Sequence, residues 1–276
     1  MLSHTIRTMP IVAVLLAVGA TLAGCEADVN INGQEGVPLA DIEIAGPPPT
    51  DVVLSSGDTV ILTTGDTFAI TVDGCNVDTL RFVRDADVIG VSRENGWSGK
   101  NDATIRITMP PPKDVVIAGS GTVRAQSLAS ASEITIGGSG LIEFGTIAAE
   151  TLGINIGGSG TVRGAGTVKR LDVNIGGAGD IEMPSLKADS AEVTIGGTGD
   201  VAFASDGDVS ATIAGAGDVR VSGAAKCTVE TYGSGSLTCS PGGAGDSAAI
   251  PSAAQVPDAA IAPQTSAAPV AGKSAE

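Results

Sequence analysis

Histidine, aromatic residues and positive charge are all scarce in this 276-residue chain. The single histidine is His4. The rest of the chain therefore lacks the histidine that a Ser-His or Cys-His catalytic system requires. It also lacks the histidine ligands of a zinc site. Aromatic residues make up only 2% of the chain, which leaves few rings on which a sugar could stack. The formal net charge of −16 disfavours nucleic acid and anionic lipid surfaces as partners.

Glycine, by contrast, is abundant and regularly spaced. From Lys113 to Ser240 the chain repeats itself seven times, at a period of eighteen to twenty residues. The marker is Gly, a small residue and Gly, followed by a polar and then an aliphatic residue. Its seven occurrences begin at Gly119, Gly138, Gly158, Gly177, Gly197, Gly215 and Gly233. Self-similarity at this period is typical of a solenoid.

Mostly aliphatic residues flank each marker, in alternation with residues that are mostly polar or small. The position two residues before it holds Ile117, Ile136, Ile156, Ile175, Ile195, Ile213 and Thr231. The position two residues after its last glycine holds Val123, Ile142, Val162, Ile181, Val201, Val219 and Leu237. A period of two with β-branched residues on one face predicts two short half-buried strands per repeat, joined at the glycine corner.

The connection between repeats distinguishes two arrangements of these strands. A stack of hairpins needs a turn at both ends of every strand pair, but only one corner of each repeat carries glycine. We therefore expect an all-β fold of about seven parallel coils over a continuous Val and Ile core. The pattern does not determine the handedness of the coils.

The N-terminus has the pattern of an export signal over residues 1–24. A short apolar run from Ile11 to Ala20 ends in Leu22-Ala23-Gly24-Cys25, which resembles the lipobox of bacterial lipoproteins. The resemblance implies cleavage before Cys25, a diacylglycerol on its thiol and an acyl chain, palmitate for example, on its new amine. Glu26 follows the cysteine in place of Asp, which indicates the outer membrane. The alternative is a plain secretory signal with a chance cysteine.

Composition divides the remaining chain into four parts. Residues 25–50 are expected to form a flexible tether, and residues 51–112 a β-rich lead-in that contains the only tryptophan, Trp97, and covers the first coil. The Gly-rich repeats occupy residues 113–240. Residues 241–276 are rich in Ala, Pro and Ser, and we predict that they are disordered.

The lead-in and the repeats together resemble a known family. Gly65-Asp66-Thr67-Phe68, the segment Ile105-Arg106-Ile107-Thr108-Met109-Pro110 and the repeated Ile-Gly-Gly-Ser-Gly blocks are similar to the family called "putative auto-transporter adhesin, head GIN domain". The resemblance covers about residues 55–240. It implies a right-handed parallel β-helix exported to the bacterial envelope. It carries over no catalytic motif.

Two patterns within the repeats invite a chemical interpretation. Asp180, Asp200 and Asp218 follow Gly-x-Gly in successive repeats and are weak candidates for a calcium site. However, the period is twice that of calcium-binding Gly-rich repeats, and the aspartate falls one residue early. Asp218, Arg220 and Arg163 offer the residue types that polysaccharide lyases use on β-helices. On balance, the sequence predicts a protein that is not an enzyme and that holds no cofactor.

Cys227 and Cys239 bracket the last repeat. In an exported protein we expect a disulfide between them that fixes the C-terminal coil. The alternative is a pair of unpaired buried thiols. This disulfide leaves Cys75 without a partner. Cys75 is then either a small buried hydrophobic residue or a cysteine that competes for a disulfide partner in the fold.

These observations predict a non-enzymatic, lipid-anchored envelope protein that presents a rigid β-helix as an interaction surface. Its expected partners are the membrane, through the anchor, and a surface protein or polysaccharide of unknown identity; nucleic acid is not expected. The alternatives are a cation-dependent envelope or matrix component and a carbohydrate-active β-helix. The sequence leaves the periplasmic or surface location open.

Overall fold

The structure, a computed structural model, describes Ile31 and residues 34–241. The expected signal peptide, the lipidation site Cys25, the first part of the tether and nearly all of the predicted disordered tail lie outside these residues. Within the described residues, no helix is long and apolar enough to cross a membrane.

Sixteen strands in the described region form one continuous sheet that winds into a β-solenoid. The strands are β1 Asp51–Leu54, β2 Thr59–Thr64, β3 Ala69–Asp73, β4 Leu80–Arg84, β5 Val88–Arg93, β6 Thr104–Met109, β7 Asp114–Ile117, β8 Thr122–Ala125, β9 Ala131–Ile136, β10 Leu141–Ile156, β11 Thr161–Ile175, β12 Asp180–Ile195, β13 Val201–Ile213, β14 Asp218–Ser222, β15 Lys226–Thr231 and β16 Ser236–Ser240. Short 3-10 helices occupy Leu39–Asp41 and Val77–Thr79.

The seven Gly-rich repeats stack as parallel coils, as the sequence predicts. Each coil has three sides, which β11 and its pairing with β12 illustrate. Residues 161–163 form the second side, 165–168 the third side, and 170–175 the first side, which leads into the next glycine corner. The sequence predicts two short strands per repeat. In the structure, each of the strands β10 to β13 runs from the second side through the third side to the first side of the following coil. The predicted short strands are therefore joined into one long strand in this part of the stack. Register shifts mark the bends.

The interior of each coil is filled by the aliphatic residues that the alternation placed inward. In β11, Val162 and Leu171 are fully buried, and Val168, Val173 and Ile175 are at most 2% exposed. Full burial of such a side chain contributes about 1.5–3 kcal/mol. Because each residue lies above its equivalent in the previous coil, the core is a set of continuous rows along the stack.

The glycine corners bring the backbones of successive coils into direct contact. A Cβ atom on Gly158 would lie 2.0 Å from the carbonyl oxygen of Gly138, and one on Gly177 would lie 2.0 Å from that of Gly158. The same carbonyls accept coil-to-coil hydrogen bonds from the N–H groups of Ser159 and Ala178, both at 2.9 Å. The second glycine of each Ile-Gly-Gly block, for example Gly158, must therefore remain glycine for the coils to approach closely enough to bond.

The lead-in contributes two further coils to the same stack. β1 and β2 pair in parallel with β7 and β8, so the lead-in continues the first and second sides of the repeats. β5 and β6 pair in parallel with the opposite edges of β1 and β2. The order of these coils along the stack therefore differs from their order along the chain.

Antiparallel strands cover the N-terminal end of the stack. β3 pairs with β6 and β4 pairs with β5, both antiparallel. Val37 exchanges backbone hydrogen bonds with Phe82 at 2.9 and 2.7 Å, and Phe82 is only 1% exposed. These strands keep the inward residues at that end buried, and Val37 bonds to part of the outer edge of β4.

Alanine substitution at two adjacent glycines tests the close approach at the corners. We expect Gly158→Ala to destabilise the chain by about 2–3 kcal/mol, because the new methyl group overlaps the backbone of the coil below. Gly157→Ala is the matched control, since the nearest atom to its Cβ position is 4.0 Å away. Thermal unfolding followed by circular dichroism should show a midpoint several degrees lower for Gly158→Ala only. Equal midpoints for the two variants would refute the packing argument.

Candidate interaction surface

The outer face of the first side carries two columns of polar side chains. One column is acidic and consists of Asp51, Asp114, Glu133, Asp172 and Glu192, with Gly153 between Glu133 and Asp172. The other column consists of Thr135, Asn155, Asn174, Thr194 and Thr212. Both occupy outward positions of the alternating strands, and the strand spacing of about 4.8 Å separates their members. We call these two columns the first-side face.

Asparagine side chains cross-link neighbouring coils on this face. The Asn174 amide donates to the Asn155 side-chain oxygen at 3.2 Å, and the Asn155 amide donates to Glu133 at 2.8 Å. Each of these amide groups carries two N–H donors, of which the ladder uses one. The face is therefore held in register and also presents hydrogen-bonding groups at a regular spacing.

Like charges stand close together in the acidic column. Asp114 is half-buried, and this desolvation, followed by repulsion from Asp51 and Glu133, raises the pKa of its carboxyl group above the ordinary value. The neighbouring Lys113 opposes the shift. Ionisation of Asp114 is therefore disfavoured by its burial and by the two neighbouring carboxylates.

The second side has a column of alternating charge instead. Glu143 lies between Arg124, whose Nε donates at 2.7 Å, and Arg163, whose Nη1 lies 3.9 Å away; Arg163 Nε also donates to Glu182 at 2.7 Å. The hydrogen bond that Arg163 donates to the Glu182 carboxylate raises the pKa of the Arg163 guanidinium above its ordinary value. Arg163 therefore keeps its proton, which argues against the base that a lyase would need.

Asp180, Asp200 and Asp218 stack on successive coils, as their spacing indicates. The carboxylates of Asp180 and Asp200 accept the backbone N–H groups of Asp200 and Asp218 at 3.1 and 2.9 Å. Arg220 lies 3.6 Å from Asp200 and 3.4 Å from Asp218. The Ser236 hydroxyl donates to Asp218 and lowers the pKa of that carboxyl group. These carboxylates therefore already bond one coil to the next.

The described residues contain no group of three or more His, Cys, Asp or Glu side chains arranged to hold a metal ion. The three stacked aspartates bond successive coils to one another, and Arg220 balances part of their charge.

A buried ion pair at the corner between β1 and β2 was not predicted from the sequence. Asp58 occupies the corner position equivalent to Gly121, and both its oxygens bind Arg93, at 2.6 and 2.9 Å. Asp58 also accepts the N–H group of Ala103 at 3.0 Å. The Arg93 guanidinium lies 5.3 Å from the Trp97 ring centre. Since these residues are far apart in sequence and do not repeat, no periodic signal could have paired them.

The cysteines lie at opposite ends of the stack. Cys227 on β15 and Cys239 on β16 form a disulfide with a Cα–Cα distance of 6.7 Å. Cys75 is free and exposed, so the expectation of a buried small hydrophobe at this position is wrong. It lies in the turn that follows β3, outside the buried core.

Comparison with known proteins identifies the fold. The family model described as "Putative auto-transporter adhesin, head GIN domain" matches residues 48–225. A "putative adhesin" from Bacteroides fragilis NCTC 9343 is similar in structure, with a TM-score of 0.60 and 17% identity, over 70% of this chain and 92% of its own. A "putative lipid binding protein" from Parabacteroides distasonis ATCC 8503 has a TM-score of 0.53 and 18% identity, over 71% and 94%. At these identities the structural similarity shows the fold alone. No curated protein matches the sequence.

The raised pKa of Asp114 predicts the direction in which the stability of the folded chain changes with pH. A carboxyl group with a higher pKa in the folded state stabilises the fold when protonated, and this contribution is lost as the pH rises through the folded pKa. We therefore expect Asp114→Asn to raise the unfolding midpoint by about 1–3 °C at pH 7. The difference should vanish near pH 3, where the wild-type carboxyl group is protonated. Asp66→Asn, in an exposed turn, is the control; a lower midpoint for Asp114→Asn at pH 7 would contradict the prediction.

Proposed function

Because the chain belongs to the family described as "putative auto-transporter adhesin, head GIN domain", we propose that it is a non-enzymatic adhesin of the bacterial envelope that binds through its first-side face. The partner class is a surface protein or a polysaccharide. The family supports an adhesive role at the cell envelope. The choice of face is our own inference from the geometry.

The observation that carries this proposal is the regular polar array on the first-side face. Asn155 and Asn174 present amide groups, Thr194 and Thr212 present hydroxyl groups, and the adjacent column presents carboxylates. A partner with repeated hydroxyl or amide groups could bond to several coils at once. Individually weak contacts made in parallel raise the overall affinity without any deep pocket.

The second side is less suited to this role. Arg124, Glu143, Arg163 and Glu182 satisfy one another along the column, so a partner would have to break existing ion pairs to bind there. The first-side threonines carry no such charge, and an approaching polar surface can use their hydroxyl groups directly. The net charge of −16 also favours a neutral or basic partner over nucleic acid.

A bulky charged residue placed in the first-side face should block adhesion. We expect Thr194→Arg to lower the binding of expressing cells to their target surface at least fivefold, because the arginine would protrude from the middle of the array. Thr167→Arg is the matched control, since Thr167 is also an exposed strand threonine but lies on the third side. The measurement is cell adhesion at matched expression.

The adhesion assay also distinguishes a specific role of the first-side face from a general effect of the substitutions on the protein. Loss of adhesion in both variants, with both still folded, would assign binding to another surface or to a general effect of charge. Unchanged adhesion in both would remove the first-side face from the mechanism. Proteinase treatment of intact cells shows separately whether the repeats are accessible outside the cell, as an adhesin requires.

We also propose that Cys25 anchors the chain to the outer membrane through lipid. The lipobox supports this proposal, and the segment that follows Cys25 would connect the anchor to the solenoid. Several acyl chains bind a membrane stably, because each buried methylene contributes about 0.8 kcal/mol.

Removal of the lipidated thiol should release the protein from membranes. We expect Cys25→Ala to move most of the chain from the membrane fraction to the soluble fraction, whereas Cys75→Ala, which removes another unpaired thiol, should stay with the membrane. Fractionation followed by immunoblotting measures the ratio. Continued membrane association of Cys25→Ala would show that lipid on this cysteine is not the anchor.

A further inference from the structure

The C-terminal coil, unlike the N-terminal one, leaves its inward residues exposed within the described region. Val229 on β15 is 44% exposed, whereas its partner one coil below, Ala211, is 1% exposed. Leu237 on β16 is half-buried, whereas its partner Val219 is fully buried. Among residues 31 and 34–241, no strand pairs with the outer edge of β15. An open edge of this kind is a template for another strand.

The backbone direction of β15 shows which groups face the open edge. Tyr232 donates its N–H group to Ile213 on the coil below, at 2.8 Å. The backbone groups of a strand point alternately to its two sides. The N–H and C=O groups of Cys227, Val229 and Thr231 therefore point to the open edge. These are also the residues whose side chains point inward, since they pair with buried positions of β13.

The sequence of β15 is complementary to itself in one antiparallel register. A twofold axis through Thr228 places Lys226 opposite Glu230 of a second copy, twice by symmetry. It also places Cys227 opposite Val229 of that copy, so that the free backbone groups bond to each other. Thr228 then faces its own equivalent in a non-hydrogen-bonded pair, with a Cα–Cα distance of about 4.5 Å. A shift of two residues in pairing moves Lys226 opposite Thr228 or Tyr232 and loses both charge pairs.

Charge favours this end for contact between two copies. Residues 223–241 contain one lysine and one glutamate and so carry no net charge, whereas the whole chain carries −16. Repulsion between two acidic chains is therefore reduced where their neutral C-terminal coils meet. The Cys227–Cys239 disulfide ties β15 to β16, which fixes the edge before any partner arrives.

The residues that follow the last coil are poorly suited to pair with β15. Prolines at 251, 257, 263 and 269 interrupt residues 242–276 at every sixth position, and proline cannot donate a ladder hydrogen bond. The proline-free stretch 242–250 is mostly Gly, Ala, Ser and Asp, which have low strand propensity.

We propose that β15 is a dimerisation strand, through which two copies of this chain join end to end with Thr228 on the twofold axis. The two solenoids then share one continuous first-side sheet, and each covers the open coil of the other. This proposal is independent of the ligand of the first-side face.

Disulfide cross-linking tests the register directly. In the exported full chain carrying Cys75→Ser, solubilised in mild detergent, we expect Thr228→Cys to form a covalent dimer under gentle oxidation. Mass spectrometry should identify a link between the two introduced thiols. Ser210→Cys is the matched control, because Ser210 is the exposed partner of Thr228 one coil below, and it should not cross-link. Equal cross-linking of the two variants, or none in either, would overturn the proposal.

Charge exchange provides a second test that leaves the thiols unchanged. Glu230→Lys should weaken dimerisation about tenfold in analytical ultracentrifugation, since it places like charges opposite each other at two symmetric positions. Lys226→Glu combined with Glu230→Lys should restore it. A chain that is monomeric in every variant would show that Lys226 and Glu230 merely protect a bare edge, and would overturn the proposal. So would a dimer that forms only after deletion of residues 242–276, which would assign the edge to the chain's own C-terminus.

Discussion

Contact between the backbones of successive coils is the constraint on which the rest of the solenoid depends. At the corners, Gly138, Gly158 and Gly177 each approach the carbonyl oxygen of the coil below so closely that no Cβ atom fits. The same approach allows one coil-to-coil hydrogen bond after another along the corner. If one corner were held open, the strands on both sides of it would lose their common spacing. The glycines therefore set the register of all three sides of the coils.

A fixed register has an electrostatic consequence, because it places equivalent residues in columns. Where the column alternates in sign, as from Arg124 to Glu182, each ion pair supports the stacking. Where the column repeats one sign, as at Asp114, repulsion adds to the cost of partial burial and raises the pKa. Exposed ion pairs contribute little to stability individually, so neither column determines the fold. The sequence can thus vary its outward columns for binding while the glycines and the aliphatic rows maintain the architecture.

Periodicity explains which features could be predicted from the sequence and which could not. The inward Val and Ile rows, the glycine corners and the stacking of Asp180, Asp200 and Asp218 all recur at one spacing, so a single repeat predicts the others. The coils formed by β1, β2, β5 and β6 lack the glycine marker, and their order in the stack differs from their order in the chain. Only long-range pairing reveals them, as it does the bond from Arg93 to Asp58. The first-side face was also missed, although its alternating positions were visible, because the sequence alone did not distinguish it from a solvated surface.

The two ends of the stack differ in how the terminal coil is covered. At the N-terminal end, β3 and β4 turn antiparallel, and Phe82 fills the space above the first coil. A parallel coil cannot cover itself, because its next strand always requires another coil, so reversal of the chain is the simplest way to stop. At the C-terminal end the chain does not reverse within the described residues; the Cys227–Cys239 bond holds the last coil without covering it. A disulfide resists fraying but satisfies no backbone group. The C-terminal edge therefore combines unpaired backbone groups with exposed inward side chains and no net charge, and a partner strand would cover both the backbone groups and the side chains.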